Sequence, residues 1–270
     1  MIRIQSLFDF YLKSSIHVAL SVYALVRMTQ YMFAIPYDES IAFFAFFGTI
    51  VGYNFVKYDA LARAKKRMMR NELKLIAFLS FISFLAVGFY FFQLELVTQI
   101  VAVAVLILTM LYTLPFFPNR RNARNWAGVK IYIVALCWVG VTLMLPLVNA
   151  HHALGQDFFI KCVQRFILVF DLILVFEIID LNNDDPHLKT VPQQIGVKRT
   201  KLLGLLLLIP FYFLEFFKIN FVEKQVLINL ILVVMLSLFL VFSNENRSKY
   251  YSSFWVESIP ILWWLMVVLL

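Results

Sequence analysis

Apolar runs of about twenty residues follow one another along almost the whole chain, the length a helix needs to cross a hydrocarbon layer. They lie at 13–34, 39–57, 74–93, 95–116, 126–148, 158–180, 202–218, 223–243 and 253–270. In lipid, only a helix or a closed barrel pairs all of its own backbone groups. Barrel strands would alternate apolar and polar residues, and these runs do not. The sequence therefore predicts an all-α integral membrane protein with nine transmembrane helices, folded as a single polytopic domain over 1–270. Composition excludes the soluble alternative: 62% of residues are hydrophobic, 15% are charged, and 29 are Phe. A soluble domain is about a quarter charged and could not hide so much apolar surface.

The segments between the runs alternate in character. One set carries Arg63, Lys65, Lys66, Arg67 and Arg70, then Arg120, Arg121 and Arg124, then Lys189, Lys198, Arg199 and Lys201, then Arg247 and Lys249. The other is short and poor in Lys and Arg, with Asp38 and Glu39, Glu95, His151, His152 and Asp157, and Lys218 with Lys224. Excess Lys and Arg marks cytoplasmic loops, so the first set and the amino terminus, with Arg3 and Lys13, are expected in the cytoplasm. The net charge of +8 is thereby read as orientation in a bilayer, and no nucleic-acid partner is expected. The expected location is a bacterial inner (cytoplasmic) membrane. Cys137 and Cys162 are isolated in apolar stretches and read as packing residues. The first run carries His17 and Arg27 and has no small-residue cleavage site, so it reads as a span rather than a signal peptide.

The strongest chemical constellation closes the sixth run. Glu177, Asp180 and Asp184 are spaced i, i+3, i+7, which puts three carboxylates on one stripe of a helix. Like charges so close repel unless a cation lies among them, and Mg²⁺ binds through one or two carboxylates plus substrate phosphates. The plain alternative is a helix end entering water, with Asp185-Pro186 as its stop signal.

Downstream stand Lys189, Thr190-Val191-Pro192 and Gly196. Together with Asp180-x-x-x-Asp184, this segment resembles the second aspartate-rich motif of the UbiA-type membrane prenyltransferase superfamily. The loop after the fourth run is similar to that family too: Tyr112-Thr113-Leu114-Pro115 is followed by Arg120, Arg121, Gly128 and Lys130. The loop after the second run departs from it. The family's first motif is an Asn followed by Asp one, four and eight positions on; here Asn54 is followed by Phe55, Tyr58 and Ala62. Asp59 comes one residue late, about 100° around a helix.

The resemblance implies a nine-helix UbiA-like bundle with a cytoplasmic amino terminus. It also implies transfer of a prenyl group from a polyprenyl diphosphate to an aromatic or related lipophilic acceptor within the bilayer. On that reading Asp180, Asp184, Asn54 and Tyr112 are catalytic. Arg120, Arg121, Lys130 and Asp59 bind substrate, and Asp180, Asp184 and Glu177 hold Mg²⁺. With the first motif incomplete, cations such as Lys57 and Arg63 could take the place of a metal. Two other readings stay open: a non-catalytic UbiA-fold protein that binds isoprenoid or quinone lipids, and a transporter. Polar residues within the runs (His17, Arg27, Arg165, Asp171, Glu215, Glu257) are costly in lipid and are expected to face protein or water.

The alternation of basic loops generates a topology test. Reporter fusions at Leu270 and within 63–70 should land on opposite faces of the membrane; both on one face would break the nine-span arrangement.

Overall fold

The computed structural model describes residues 2–64, 71–113, 128–184 and 188–270, with side chains described over 4–58, 71–110, 128–184 and 188–270. Among these, every regular element is helical. In chain order they are α1 (Ile2–Lys13), α2 (Ile16–Met32), α3 (Glu39–Ala64), α4 (Asn71–Phe91), α5 (Leu96–Thr113), α6 (Val129–Val139) and α7 (Leu145–Asn149). They continue with α8 (Gln156–Ile179), α9 (Val191–Ile195), α10 (Val197–Phe213), α11 (Glu223–Phe242) and α12 (Ile259–Leu269). Four of these helices lie in three apolar rods longer than themselves: α6 and α7 in Val129–Asn149, α10 in Val197–Phe217 and α12 in Tyr251–Leu269.

Among the described residues, 6 helices are long and apolar enough to cross a membrane: Glu39–Tyr58, Asn71–Phe91, Val129–Asn149, Val197–Phe217, Glu223–Phe242 and Tyr251–Leu269. The other three expected runs are also helical but fall short of that standard for different reasons. Helix α2 has 17 residues. The described apolar part of α5 is Leu96–Met110. Helix α8 has 24 residues but carries Asp157, Lys161, Arg165, Asp171 and Glu177.

Two proline-linked irregularities shape the rods. Pro146 has no N–H, so the carbonyl four residues back, on Thr142, loses its helical donor. The chain responds with a π-helical turn over Gly140–Met144, and the Thr142 carbonyl accepts the Thr29 hydroxyl at 2.6 Å. The same device recurs before Pro260, where Tyr251–Val256 is π-helical and the Glu257 amide donates to the Ser252 carbonyl at 3.1 Å. A third irregularity divides the first run: α1 stops at Lys13, and Ser15 takes a left-handed backbone (φ 62) before α2.

The rods run up and down, because cross-ties join alternate ends. At one end Lys13 pairs with Glu72 at 2.7 Å, Asn54 (α3) bonds the Ser14 carbonyl at 3.1 Å, and Lys201 (α10) bonds the Val241 carbonyl at 2.8 Å. At the other, Asn149 (α7) bonds Asp38 at 2.6 Å, and Asp157 (α8) accepts the backbone amides of Ile219 and Asn220 at 2.7 and 3.0 Å. Helix α8 is the central element, packed on α6, α10, α11 and the 251–256 turn. Leu168, Leu174 and Ile178 of α8 join Leu25 and Met28 of α2, Ile131 of α6, Phe211 of α10 and Trp263 of α12 in one core.

The outer surface is apolar. Phe78, Phe81, Phe84 and Phe89 on α4, Ile100 and Leu106 on α5, and Leu227, Val234 and Leu238 on α11 all point outward and exposed. A surface of this kind suits lipid and not water. The chain is an integral, multi-pass membrane protein.

Of the ionisable residues expected to avoid lipid, Arg27 and Glu257 are half-buried. His17, Arg165, Asp171 and Glu215 are buried. Near the Asp157 end, Glu215 accepts from Lys161 at 2.7 Å, Gln164 at 3.1 Å, Asn229 at 3.0 Å and Lys218 at 3.1 Å. One carboxylate therefore serves two buried ammonium groups. Removing it strands both cations, whereas removing Lys161 leaves Glu215 paired with Lys218. Glu215→Ala should cost about 3–5 kcal/mol, the usual penalty for breaking a buried pair on one side. Lys161→Met should cost clearly less. Thermal melts of both variants in one detergent check the order.

Candidate active site

The candidate site lies at the end of the bundle where α3 and α8 finish and α2, α6 and α10 begin. Helix α8 ends at Ile179, and Asp180 caps it. The next turn folds tightly, since the amides of Asn183 and Asp184 both donate to the Asp180 carbonyl at 2.8 Å. That geometry holds Asp180 and Asp184 near each other, close enough for their charges to interact. No hydrogen bond from another described residue engages either carboxylate.

Glu177 has a different environment. It is 2% exposed. One oxygen accepts the Val191 amide at 3.0 Å, and the other lies 3.9 Å from the Lys130 ammonium at the start of α6. The segment that resembles the family's tail explains this. Thr190 precedes α9 and donates its amide to the Gln193 side chain at 2.9 Å. Pro192 opens that helix where an N–H is dispensable, and Gly196 (φ 79) turns the chain into α10. Glu177 thus satisfies an orphan N–H of α9 and ties α6, α8 and α9 together.

The residues at the first-motif positions stand on α3, which ends at the same end of the bundle. Asn54 is 4% exposed and its side chain is fully engaged. Its Nδ2 donates to the Ser14 carbonyl at 3.1 Å and to Ser80 Oγ at 2.9 Å, and its Oδ1 accepts from Ser15 Oγ at 2.8 Å. Tyr58, where the family has an aspartate, donates to the Lys13 carbonyl at 2.9 Å. Farther in, Trp138 of α6 donates to the Tyr53 hydroxyl at 2.9 Å.

Of the expected site residues, Glu177, Asp180, Asp184 and Lys130 are brought together, and Asn54 belongs to the α1–α2–α3 junction. The side chains of Asp59 and Tyr112, and all of Arg120 and Arg121, lie outside the described residues. Glu95 lies 4.0 Å from His151, and the Phe33 ring packs edge-on against His152.

Asp180 and Asp184 fit one hard divalent cation, which takes carboxylate oxygens and completes its shell with phosphate and water. Glu177 fits less well, because both of its oxygens already serve Val191 and Lys130. Among the described residues no group of three His, Cys, Asp or Glu side chains is placed to hold a metal together.

Sequence reasoning missed the α1–α2 break and the two π turns. Pro146 and Pro260, each inside an apolar run, were the available signal for the turns. The role of Asn54 as a junction yields a test. Asn54→Ala strands the Ser14 carbonyl and the Ser15 and Ser80 hydroxyls. At about 1 kcal/mol net per bond, the loss should be about 2–3 kcal/mol, read as a lower melting temperature with no ligand present. An unchanged melt would mean that Asn54 serves ligand alone.

No protein-family model matches the sequence, and no curated protein matches it. Solved structures do. The apo structure of a UbiA homologue from Aeropyrum pernix K1 superposes with a TM-score of 0.68 at 12% identity, covering 94% of this chain and 98% of that one. A UbiA homologue from Archaeoglobus fulgidus bound to Cd²⁺ gives 0.61 at 12% identity, covering 94% and 97%. A further structure of a UbiA homologue from Archaeoglobus fulgidus gives 0.52 at 12% identity, covering 95% and 92%.

Proposed function

We propose that this chain, which has the UbiA fold, is a membrane prenyltransferase. It moves a prenyl group from a polyprenyl diphosphate to an aromatic or related lipophilic acceptor. The observation that carries the reading is the pair Asp180 and Asp184 at the end of α8, beside a Lys130–Glu177 contact of 3.9 Å, in a fold matched over 94% of the chain. In this reading all nine apolar runs cross the bilayer, the amino terminus is cytoplasmic, and the site faces the cytoplasm.

The reaction breaks the bond between the prenyl C1 and a diphosphate oxygen. The bonding pair leaves with diphosphate, the acceptor forms a new bond to C1, and the acceptor loses a proton. The difficulty is the negative charge gathering on the leaving group, which preorganised positive charge stabilises. Mg²⁺ bound by Asp180 and Asp184 would supply part of that charge. Lys130 supplies a fixed cation, held toward the site by Glu177. Arg120 and Arg121, whose guanidinium forks match phosphate oxygens, are assigned to the diphosphate. Tyr112 and Asp59 keep their proposed catalytic and substrate-binding roles. Glu177 is assigned to positioning, since it orients Lys130 and fixes the start of α9. The apolar helices around the site keep water from a reactive prenyl cation.

The second reading is a non-catalytic protein of the same fold that binds isoprenoid or quinone lipids. Phe55, Tyr58 and Ala62 at the first-motif positions favour it. Turnover separates the two. In nanodiscs, wild type should release diphosphate from a prenyl diphosphate when acceptor and Mg²⁺ are present. Asp180→Asn and Asp184→Asn should each lower the rate on the order of 10²-fold, as when one preorganised electrostatic group is lost. Glu177→Gln should lose less, because an amide can still accept from Val191. No release from wild type across several chain lengths and acceptors would select the non-catalytic reading.

A further inference from the structure

Lys57 stands one helical turn beyond Asn54 on α3, in the half of the site where the aspartates of the first motif are missing. Its surroundings are unusual for a membrane lysine. A snorkelling lysine extends along its helix toward the headgroups. This one turns to the α1–α2 break, where its ammonium donates to Ser15 Oγ at 3.1 Å and lies 5.9 Å from the centre of the Tyr53 ring.

Three further elements surround it. Ser15 precedes α2, Tyr53 links α3 to α6 through Trp138, and Glu257 follows the 251–256 turn, close enough to interact electrostatically with Lys57. Lys57 is exposed. No carboxylate among the described residues lies within 4 Å of its ammonium.

The hydrogen-bond directions are fixed. Ser15 Oγ donates to Asn54 Oδ1 at 2.8 Å, so toward Lys57 it acts as acceptor. Asn54 is itself held by Ser14 and Ser80. An ammonium has three N–H donors; Ser15 takes one, and the other two have no acceptor among the described residues. Ser15 holds a left-handed backbone at φ 62, uncommon for a residue with a side chain, and that conformation presents its hydroxyl to both Asn54 and Lys57.

We propose that Lys57 holds a diphosphate oxygen directly, as the cationic replacement for the metal that a complete first motif would bind, with Asn54 and Ser15 positioning its ammonium. The assignment rests on the prenyl-diphosphate reading. It explains why Asn54 remains where the aspartates do not: the asparagine orients a lysine. The ammonium is a compact point charge of the kind that binds phosphate without a bidentate fork. The site is then divided, with carboxylates at the α8 end and a fixed cation at the α3 end.

The test is binding of a non-hydrolysable farnesyl thiolodiphosphate to full-length protein in nanodiscs, in EDTA and in Mg²⁺. Wild type should keep measurable affinity in EDTA. Lys57→Gln should weaken that metal-free binding about tenfold or more, the scale of a charge-assisted hydrogen bond. Lys57→Arg should restore most of it. Ser15→Ala, which leaves the charge in place but removes its guide, should fall between. Wild-type binding only with Mg²⁺, or Lys57→Gln binding as wild type does in EDTA, would overturn the assignment while leaving the prenyl-diphosphate reading intact. No wild-type binding in either condition would remove both. The EDTA-against-Mg²⁺ comparison on wild type needs no variant, so a misfolded mutant cannot rescue the proposal.

Discussion

Thr142 carries a carbonyl whose ordinary α-helical donor is missing, because the residue four positions on is Pro146. In water the gap would cost little. Between packed helices in an apolar medium an unpaired carbonyl costs several kcal/mol. The bundle closes it from another helix, with the Thr29 hydroxyl at 2.6 Å. Thr142 then accepts Arg165 through its own hydroxyl at 2.8 Å. This demand, that every polar group find a partner inside the protein, organises the rest of the molecule. It makes every regular described element a helix, places π turns before Pro146 and Pro260, and sends side-chain amides and hydroxyls across the ends of the rods.

The same demand governs charge. Arg165 is 2% exposed and has no carboxylate partner among the described residues. It is held by the Leu25 carbonyl, the Thr142 hydroxyl and the face of Trp263, whose ring centre is 5.5 Å away. At one end, Glu215 gathers four donors and forms a closed knot. At the other, Asp180, Asp184 and Lys57 keep polar atoms without protein partners among the described residues. The saturated Glu215 knot holds helices together, and the Asp180–Asp184 end leaves charge where a ligand can meet it; Asp171, buried in mid-α8 with both oxygens unpartnered, departs from this division.

The relation to the archaeal UbiA homologues illustrates how far a fold outlasts its signature. At 12% identity the path of the chain is matched nearly from end to end. The constraints that preserve it are loose in residue type: apolar runs of sufficient length, and polar groups that meet at the rod ends. Residue-specific motifs are stricter, and the positions of the expected first motif hold other residues here. Phe55, Tyr58 and Ala62 still suit a helix at an interface, so the fold tolerates them where a metal site would not.

The sequence by itself determined the helical class, the membrane solvent and the order of the rods. Each follows from hydrophobicity summed over about twenty residues, a signal too long for any single neighbour to overturn. It also marked Glu177, Asp180 and Asp184 by their spacing, but not as the one helical stripe expected: α8 ends at Ile179, so Asp180 caps it and Asp184 reaches Asp180 through the turn that follows. It could not divide their roles. That Glu177 answers the Val191 amide and Lys130, while Asp180 and Asp184 have no hydrogen-bond partner among the described residues, depends on where α9 and α6 arrive, contacts between segments distant along the chain. The fate of Asn54 was likewise illegible. One asparagine reads the same whether it meets a ligand or a serine carbonyl. The left-handed break at Ser15 that decides between them arises from packing among α1, α2 and α3, to which no local propensity points.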